Sequence, residues 1–134
     1  MSAVDSSVIV AALAQWHEAH ELSRQEAQGK SVPAHALLES YAVLTRLPFP
    51  LRLDPQTAHQ LLAAWFPART VLTPSRTKMS QFVARAAGAG IVGGASYDAL
   101  VALTAAEHGE ELLTRDRRAV PTYKKLGIAY RLLA

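Results

Sequence analysis

The chain has 134 residues, half of them hydrophobic, which is the size and apolar content of one ordinary folded domain and argues against disorder. It has no cysteine, so disulfides and thiolate metal sites are excluded, a composition that fits a reducing cytoplasm. The formal net charge of +3 is only mildly basic, but its distribution is uneven. No acid lies between Asp54 and Asp98, an interval holding Arg69, Arg76, Lys78 and Arg85. Near the C-terminus Arg115, Arg117, Arg118, Lys124, Lys125 and Arg131 surround Asp116. Such grouping suits either a polyanionic partner or a solvated basic surface.

The N-terminus lacks the positive region of a secretory leader and meets an acid at position 5. Ser2 to Val4 is expected as a short strand, and Ser6 to Ala14 as a helix capped by its serines. A solvated helix from His17 to Gln28 is closed by Gly29-Lys30. Ser31 to Pro33 is strand-like. Ala34 to Leu47 has apolar residues at helical spacing and is stopped by Pro48-Phe-Pro50. Asp54-Pro55, a cap followed by proline, opens a helix to about Phe66.

Thr70 to Leu72 is strand-like and Ser75 to Ala87 helical, with a glycine-rich loop from Gly88 to Gly94. That loop and Asp98 spoil the weakly charged stretch from Ala86 to Ala106 as a membrane span. Ser96 is suited to cap a helix from Tyr97 to about His108, ended by Gly109. Glu111 to Thr114 is a strand, Arg117 to Leu126 helical or irregular, and Ile128 to Leu132 a closing strand after Gly127. Alternating strands and helices argue for an α/β domain, with a mostly parallel central sheet flanked by helices on both faces.

Four acids stand out by their apolar flanks. Asp5 follows the first strand; alone it would serve as a helix cap, but Ser6 and Ser7 already offer capping oxygens. Glu39 is the only charge between Lys30 and Arg46; the bland reading is an exposed glutamate, but its helix looks largely buried. Asp98 lies in the first turn after a glycine loop, where an acid also complements the helix dipole. Asp116 follows the strand ending at Thr114 and could equally be a turn residue. The remaining acids, Glu110 and Glu111 included, read as ordinary surface. Parallel sheets collect ligand sites at the strands' carboxyl ends. Four carboxylates gathered there would repel one another, and a hard divalent cation such as Mg²⁺ or Mn²⁺ removes that penalty.

In these residues the chain resembles a PIN domain of the VapC type, over nearly its whole length. Val4-Asp5-Ser-Ser-Val-Ile-Val-Ala-Ala-Leu13, Leu38-Glu39 ahead of Arg46-Leu47-Pro48, Tyr97-Asp98-Ala-Leu-Val-Ala102 and Leu112-Leu-Thr-Arg-Asp116-Arg-Arg carry the likeness in order and spacing. The resemblance implies a single three-layer domain over residues 1–134 and a metal-dependent endoribonuclease toxin. Asp5, Asp98 and Asp116 would be the principal Mg²⁺ or Mn²⁺ ligands. Glu39 would bind through water or orient the nucleophile. Ser7 and Thr114 would steady carboxylates, and Arg115, Arg117 and Arg118 would meet RNA phosphates. It also implies a homodimer and a cognate VapB-type antitoxin that plugs the site.

A non-catalytic module that binds RNA or antitoxin remains the alternative, and activity on single-stranded DNA stays open. A haloacid-dehalogenase-type phosphotransferase needs a second acid two residues after the first, where Ser7 stands. His17-Glu18-Ala19-His20 misses the zinc-peptidase spacing, and the glycines from Gly88 to Gly94 do not form a phosphate loop. Trp16 and Trp65 read as core or dimer-interface residues.

Overall fold

The structure, a computed structural model, describes residues 1–134. The elements in chain order are β1 (Ser2–Val4), α1 (Ser6–Leu13), α2 (His20–Ala27), β2 (Val32–Pro33), α3 (Ala34–Arg46) and α4 (Pro55–Trp65). After a 3-10 turn at Ala68–Thr70 come β3 (Val71–Leu72), α5 (Arg76–Gly88), α6 (Ala95–Glu107), β4 (Glu111–Thr114), α7 (Val120–Leu126) and β5 (Tyr130–Leu132).

All strand pairs are parallel. β1 pairs with β4 and β4 with β5, while β2 pairs with β3. A parallel bridge between Ala3 and Ser31 joins the two sets, with Val4 N donating to Ser31 O at 3.0 Å. The resulting order is β3-β2-β1-β4-β5. Successive residues of a strand face opposite sides of a sheet. Ala3 with Val4, and Leu112 with Leu113, are fully buried pairs of neighbours, so both faces are covered. Ile9, Leu44, Val101 and Tyr123 fill the same core.

Several ends differ from the sequence expectation, each for a local reason. Asp5, not a serine, caps α1: its carboxylate accepts from Ser7 N and Val8 N. α2 begins later than His17 because the His17 ring accepts from Ala19 N and holds a turn there. α6 begins at Ala95 with Gly94 at its cap; Ser96 instead donates its hydroxyl to Gly93 O inside the first turn. α5 extends through Gly88, and the turn waits for Gly90, whose φ of +70° is left-handed. Pro121 starts α7 and a left-handed Gly127 ends it, which delays β5 to Tyr130.

Glu110 overturns a sequence expectation. Read as surface, it is buried beside β4, and its Oε1 has no hydrogen-bond partner. Arg131, counted in the basic tail, is drawn to Glu26 and Glu111 at 3.5 and 3.6 Å. No helix is long and apolar enough to cross a membrane.

Candidate active site

The site is built where β1 and β4 end side by side. Asp5 leaves β1 and its N–H donates to Leu113 O of β4 at 3.1 Å, which fixes its backbone against the neighbouring strand. Its carboxylate takes Ser7 N at 3.0 Å, the Ser7 hydroxyl and Val8 N at Oδ1, and the Tyr123 hydroxyl at Oδ2 at 3.0 Å. Burial pushes the Asp5 carboxyl above the ordinary carboxylate range, and these donors pull it back.

The second tier is a hydroxyl relay between the two strand ends. Ser7 Oγ donates to Asp5, receives Arg115 N at 2.8 Å and lies 3.4 Å from Thr114 Oγ1. Thr114 Oγ1 receives Asp116 N at 3.0 Å. Asp116 Oδ1 in turn accepts Arg118 N at 2.9 Å. The chain therefore turns tightly after β4, and the Asp116 charge acts on Asp98.

Glu39 and Asp98 come from the facing helices α3 and α6. Glu39 is half-buried; burial raises its carboxyl first, the Asp5 charge raises it further, and Arg46 opposes them. Asp98 is pushed up to about 6, by burial first and then by the charges of Glu39, Asp116 and Asp5, with Arg118 opposing. Each acid reaches the common field from a different stretch of sequence. No three of the carboxylates converge into a closed ion cage in their present rotamers. Their chemistry nonetheless fits a hard divalent cation: oxygen donors only, carrying mutual repulsion that a cation removes.

The arginines divide. Arg117 and Arg118 are exposed, Arg118 with its Nε 3.7 Å from Asp116 Oδ1. Arg115 is turned towards the C-terminus, its Nε 3.4 Å from Ala134 O. Of the two histidines three positions apart, His17 is engaged with Ala19 N and His20 lies 3.0 Å from Ala11 O. A cavity of about 640 Å³ lies elsewhere, lined by Phe82, Arg85, Leu103, Glu110 and Leu126 among others, and none of the four acids borders it.

Tyr123 is the residue that sequence reasoning missed. It is the largest fully buried side chain. Its phenol is raised by burial, by the Asp5 charge and by donation to Asp5, so it remains a proton donor. The available signal was a tyrosine on the apolar side of a short helix, since a buried phenol requires a partner. Arg46 was also passed over as a cation facing Glu39.

The comparisons with known proteins agree with this fold. The PIN domain family model matches residues 3–125. Ribonuclease VapC40 of Mycobacterium tuberculosis is 42% identical over 134 residues, spanning 99% of both chains. Ribonuclease VapC27 of the same species is 47% identical over 136 residues, covering 94% of this chain and 92% of the relative. FitAB bound to an IR36 DNA fragment superposes with a TM-score of 0.68 at 16% identity, over 98% of this chain and 94% of that one. FitAcB from Neisseria gonorrhoeae gives 0.67 at 18%, over 97% and 96%. At such identities the last two speak for the fold alone. The family match and the two near full-length relatives place this chain in the PIN-domain family, among its VapC-type members.

Proposed function

We propose that the chain is a metal-dependent endoribonuclease, a VapC-type toxin restrained by a cognate VapB-type antitoxin. The observation that carries this reading is the shared field of Asp5, Glu39, Asp98 and Asp116, strong enough to help push the Asp98 carboxyl up to about 6. Acids that raise one another's carboxyls in partly buried surroundings are a standing cost to the fold unless a cation shares them. That both relatives are named ribonucleases supports RNA as the substrate.

Asp5, Asp98 and Asp116 would hold Mg²⁺ or Mn²⁺, with Glu39 beside them to receive or steer a water. A bound divalent ion supplies an acidified water and neutralises charge on a phosphate undergoing in-line attack. Ser7 and Thr114 keep Asp5 and Asp116 in register through the hydroxyl relay, and Tyr123 keeps Asp5 oriented from behind. Exposed Arg117, Arg118 beside Asp116, and Arg115 with some rearrangement would meet backbone phosphates. The whole chain, residues 1–134, would act as one catalytic domain in the cytoplasm, paired as a homodimer.

A second reading, a PIN module that binds RNA or antitoxin without cutting, draws on the absence of a closed three-carboxylate cage. One experiment separates the two. Asp5→Asn, which retains the cap oxygen, should abolish cleavage of total RNA and relieve growth arrest on expression. Activity of the unaltered chain should vanish in excess EDTA and return with Mg²⁺ or Mn²⁺. Cleavage by Asp5→Asn at the unaltered rate would refute the mechanism.

A further inference from the structure

Beside the acids stands a pair of rings that the proposed chemistry does not use. The His35 and Tyr97 rings stack with centroids 5.4 Å apart and planes 14° from parallel. His35 projects from the first turn of α3, one turn before Glu39, with its Nε2 4.0 Å from Glu39 Oε2. Tyr97 projects from the first turn of α6 and directly precedes Asp98. The stack thus spans the two helices that deliver Glu39 and Asp98, next to both acids.

Tyr97 is 56% exposed although it is one of only four tyrosines in the chain, and His35 covers just one of its faces. An exposed ring beside a carboxylate cleft adds little to the core; its remaining face is a flat apolar platform. Stacking on such a face is how proteins take up unpaired bases, because every base presents a π-surface.

We propose that His35 and Tyr97 form a base subsite that stacks one unpaired nucleobase of a single-stranded RNA flanking the bond to be cut. The proposal rests on the ribonuclease reading and adds to it the kind of RNA that the cleft admits. Tyr97 makes the contact; His35 is a positioning residue that sets the plane of the ring. A double-stranded segment cannot offer its base faces and would be a poor ligand for this platform.

The test separates binding from cleavage. A fluorescein-labelled octaadenylate is titrated by anisotropy into Asp5→Asn protein, and into the same protein carrying Tyr97→Ala or Tyr97→Phe. Tyr97→Ala should weaken binding by roughly five- to a hundredfold, the usual span for losing one stacked base. Tyr97→Phe, which keeps the ring, should bind within about twofold of the parent. Equal affinity for all three proteins would overturn the subsite whatever the nuclease assay gives. In the otherwise unaltered chain, Tyr97→Ala should raise KM with kcat little changed on an RNA cut at one mapped bond. An abasic nucleotide beside that bond should hurt the unaltered chain but not add to the Tyr97→Ala loss. A fully additive loss would count against stacking. Failure of the unaltered chain to cut any RNA would sink the ribonuclease reading instead, with the anisotropy result standing apart from it.

Discussion

At the carboxyl end of β4, Asp5 is 5% exposed and receives two backbone N–H groups, the Ser7 hydroxyl and the Tyr123 hydroxyl. At the amino end of the same strand, Glu110 is 7% exposed and its Oε1 receives nothing. The two carboxylates are buried to the same degree by the same sheet. What differs is the supply of donors. Burial alone disfavours a carboxylate, and only a set of hydrogen bonds that prefer the ionised form can hold it charged and fixed. Such a set is found at the end of the strand where three further acids collect. Burial therefore does not distinguish the two ends of the sheet, but donor supply does.

The sharpest way to break this contrast is to remove a donor from Asp5. Tyr123→Phe deletes the bond to Oδ2 together with the phenol's polar contact to Thr114. Cleavage at neutral pH should fall by about ten- to a hundredfold, as for loss of a group that orients a metal ligand. The acid limb of the pH–rate profile should move to higher pH, because one of the forces lowering the Asp5 carboxyl is gone. A simple packing defect would lower the rate without moving that limb. An unchanged rate and profile would mean that the donors around Asp5 are structural only.

Asp98 supplies the next test, through its coupling to the other acids. Its carboxyl lies at about 6 against an ordinary 3.8. Between those values the unfolded chain releases the proton and the folded chain retains it. Folding stability should therefore decline as pH rises from about 4 to about 6 and stay level above that. Discounted for its half-exposed position, the decline is about 1 kcal/mol, or a few degrees in Tm. Mg²⁺ should raise Tm above pH 6 and do little near pH 4, where Asp98 is neutral. Thermal scans of the unaltered chain and of Asp98→Asn, with and without Mg²⁺, check both statements. A Mg²⁺ response of full size in Asp98→Asn would detach that residue from the ion.

How far the sequence foretold this molecule follows the same division. Strand–acid–helix junctions are written locally: Val4-Asp5 and Leu113-Thr114 fix where strands stop, and their positions in the structure match the expectation. The parallel, doubly covered sheet was legible because its strands alternate with helices. Bringing Glu39 and Asp98 towards Asp5 was legible only as order and spacing in a known family pattern; neither residue alone departs from a surface or dipole-facing acid. The roles of Tyr123 and Glu110 were not read from the sequence. Tyr123 acts across the fold on a residue 118 positions away, and the composition of its short helix holds no sign of that partner. Glu110 sits in a Gly-Glu-Glu turn that looks solvated in sequence, and its burial appears only in the folded chain. The helix starts at α2 and α6 were misplaced by two or three residues, because side chains there bond to neighbouring backbone instead of the cap position expected of them.

The mildest substitution completes the comparison from the other end of β4. Glu110→Gln keeps the shape of the side chain and removes its charge. A buried oxygen that lacks a donor carries an uncompensated desolvation cost, so the amide should leave stability unchanged or raise it by up to about 1 kcal/mol. Cleavage should be unaffected, since β4 separates Glu110 from Asp116 by several residues at roughly 3.3 Å each. Asp5→Asn, the same chemical change at the other end, should abolish activity. Thermal melts and cleavage rates of the two variants read side by side decide the matter. If Glu110→Gln instead loses more than about 1 kcal/mol, Glu110 has found a cation in solution, with Lys78 and Arg85 lining the same cavity as the nearest candidates. The amino end of β4 would then be satisfied as fully as the carboxyl end, and donor saturation would no longer distinguish the two.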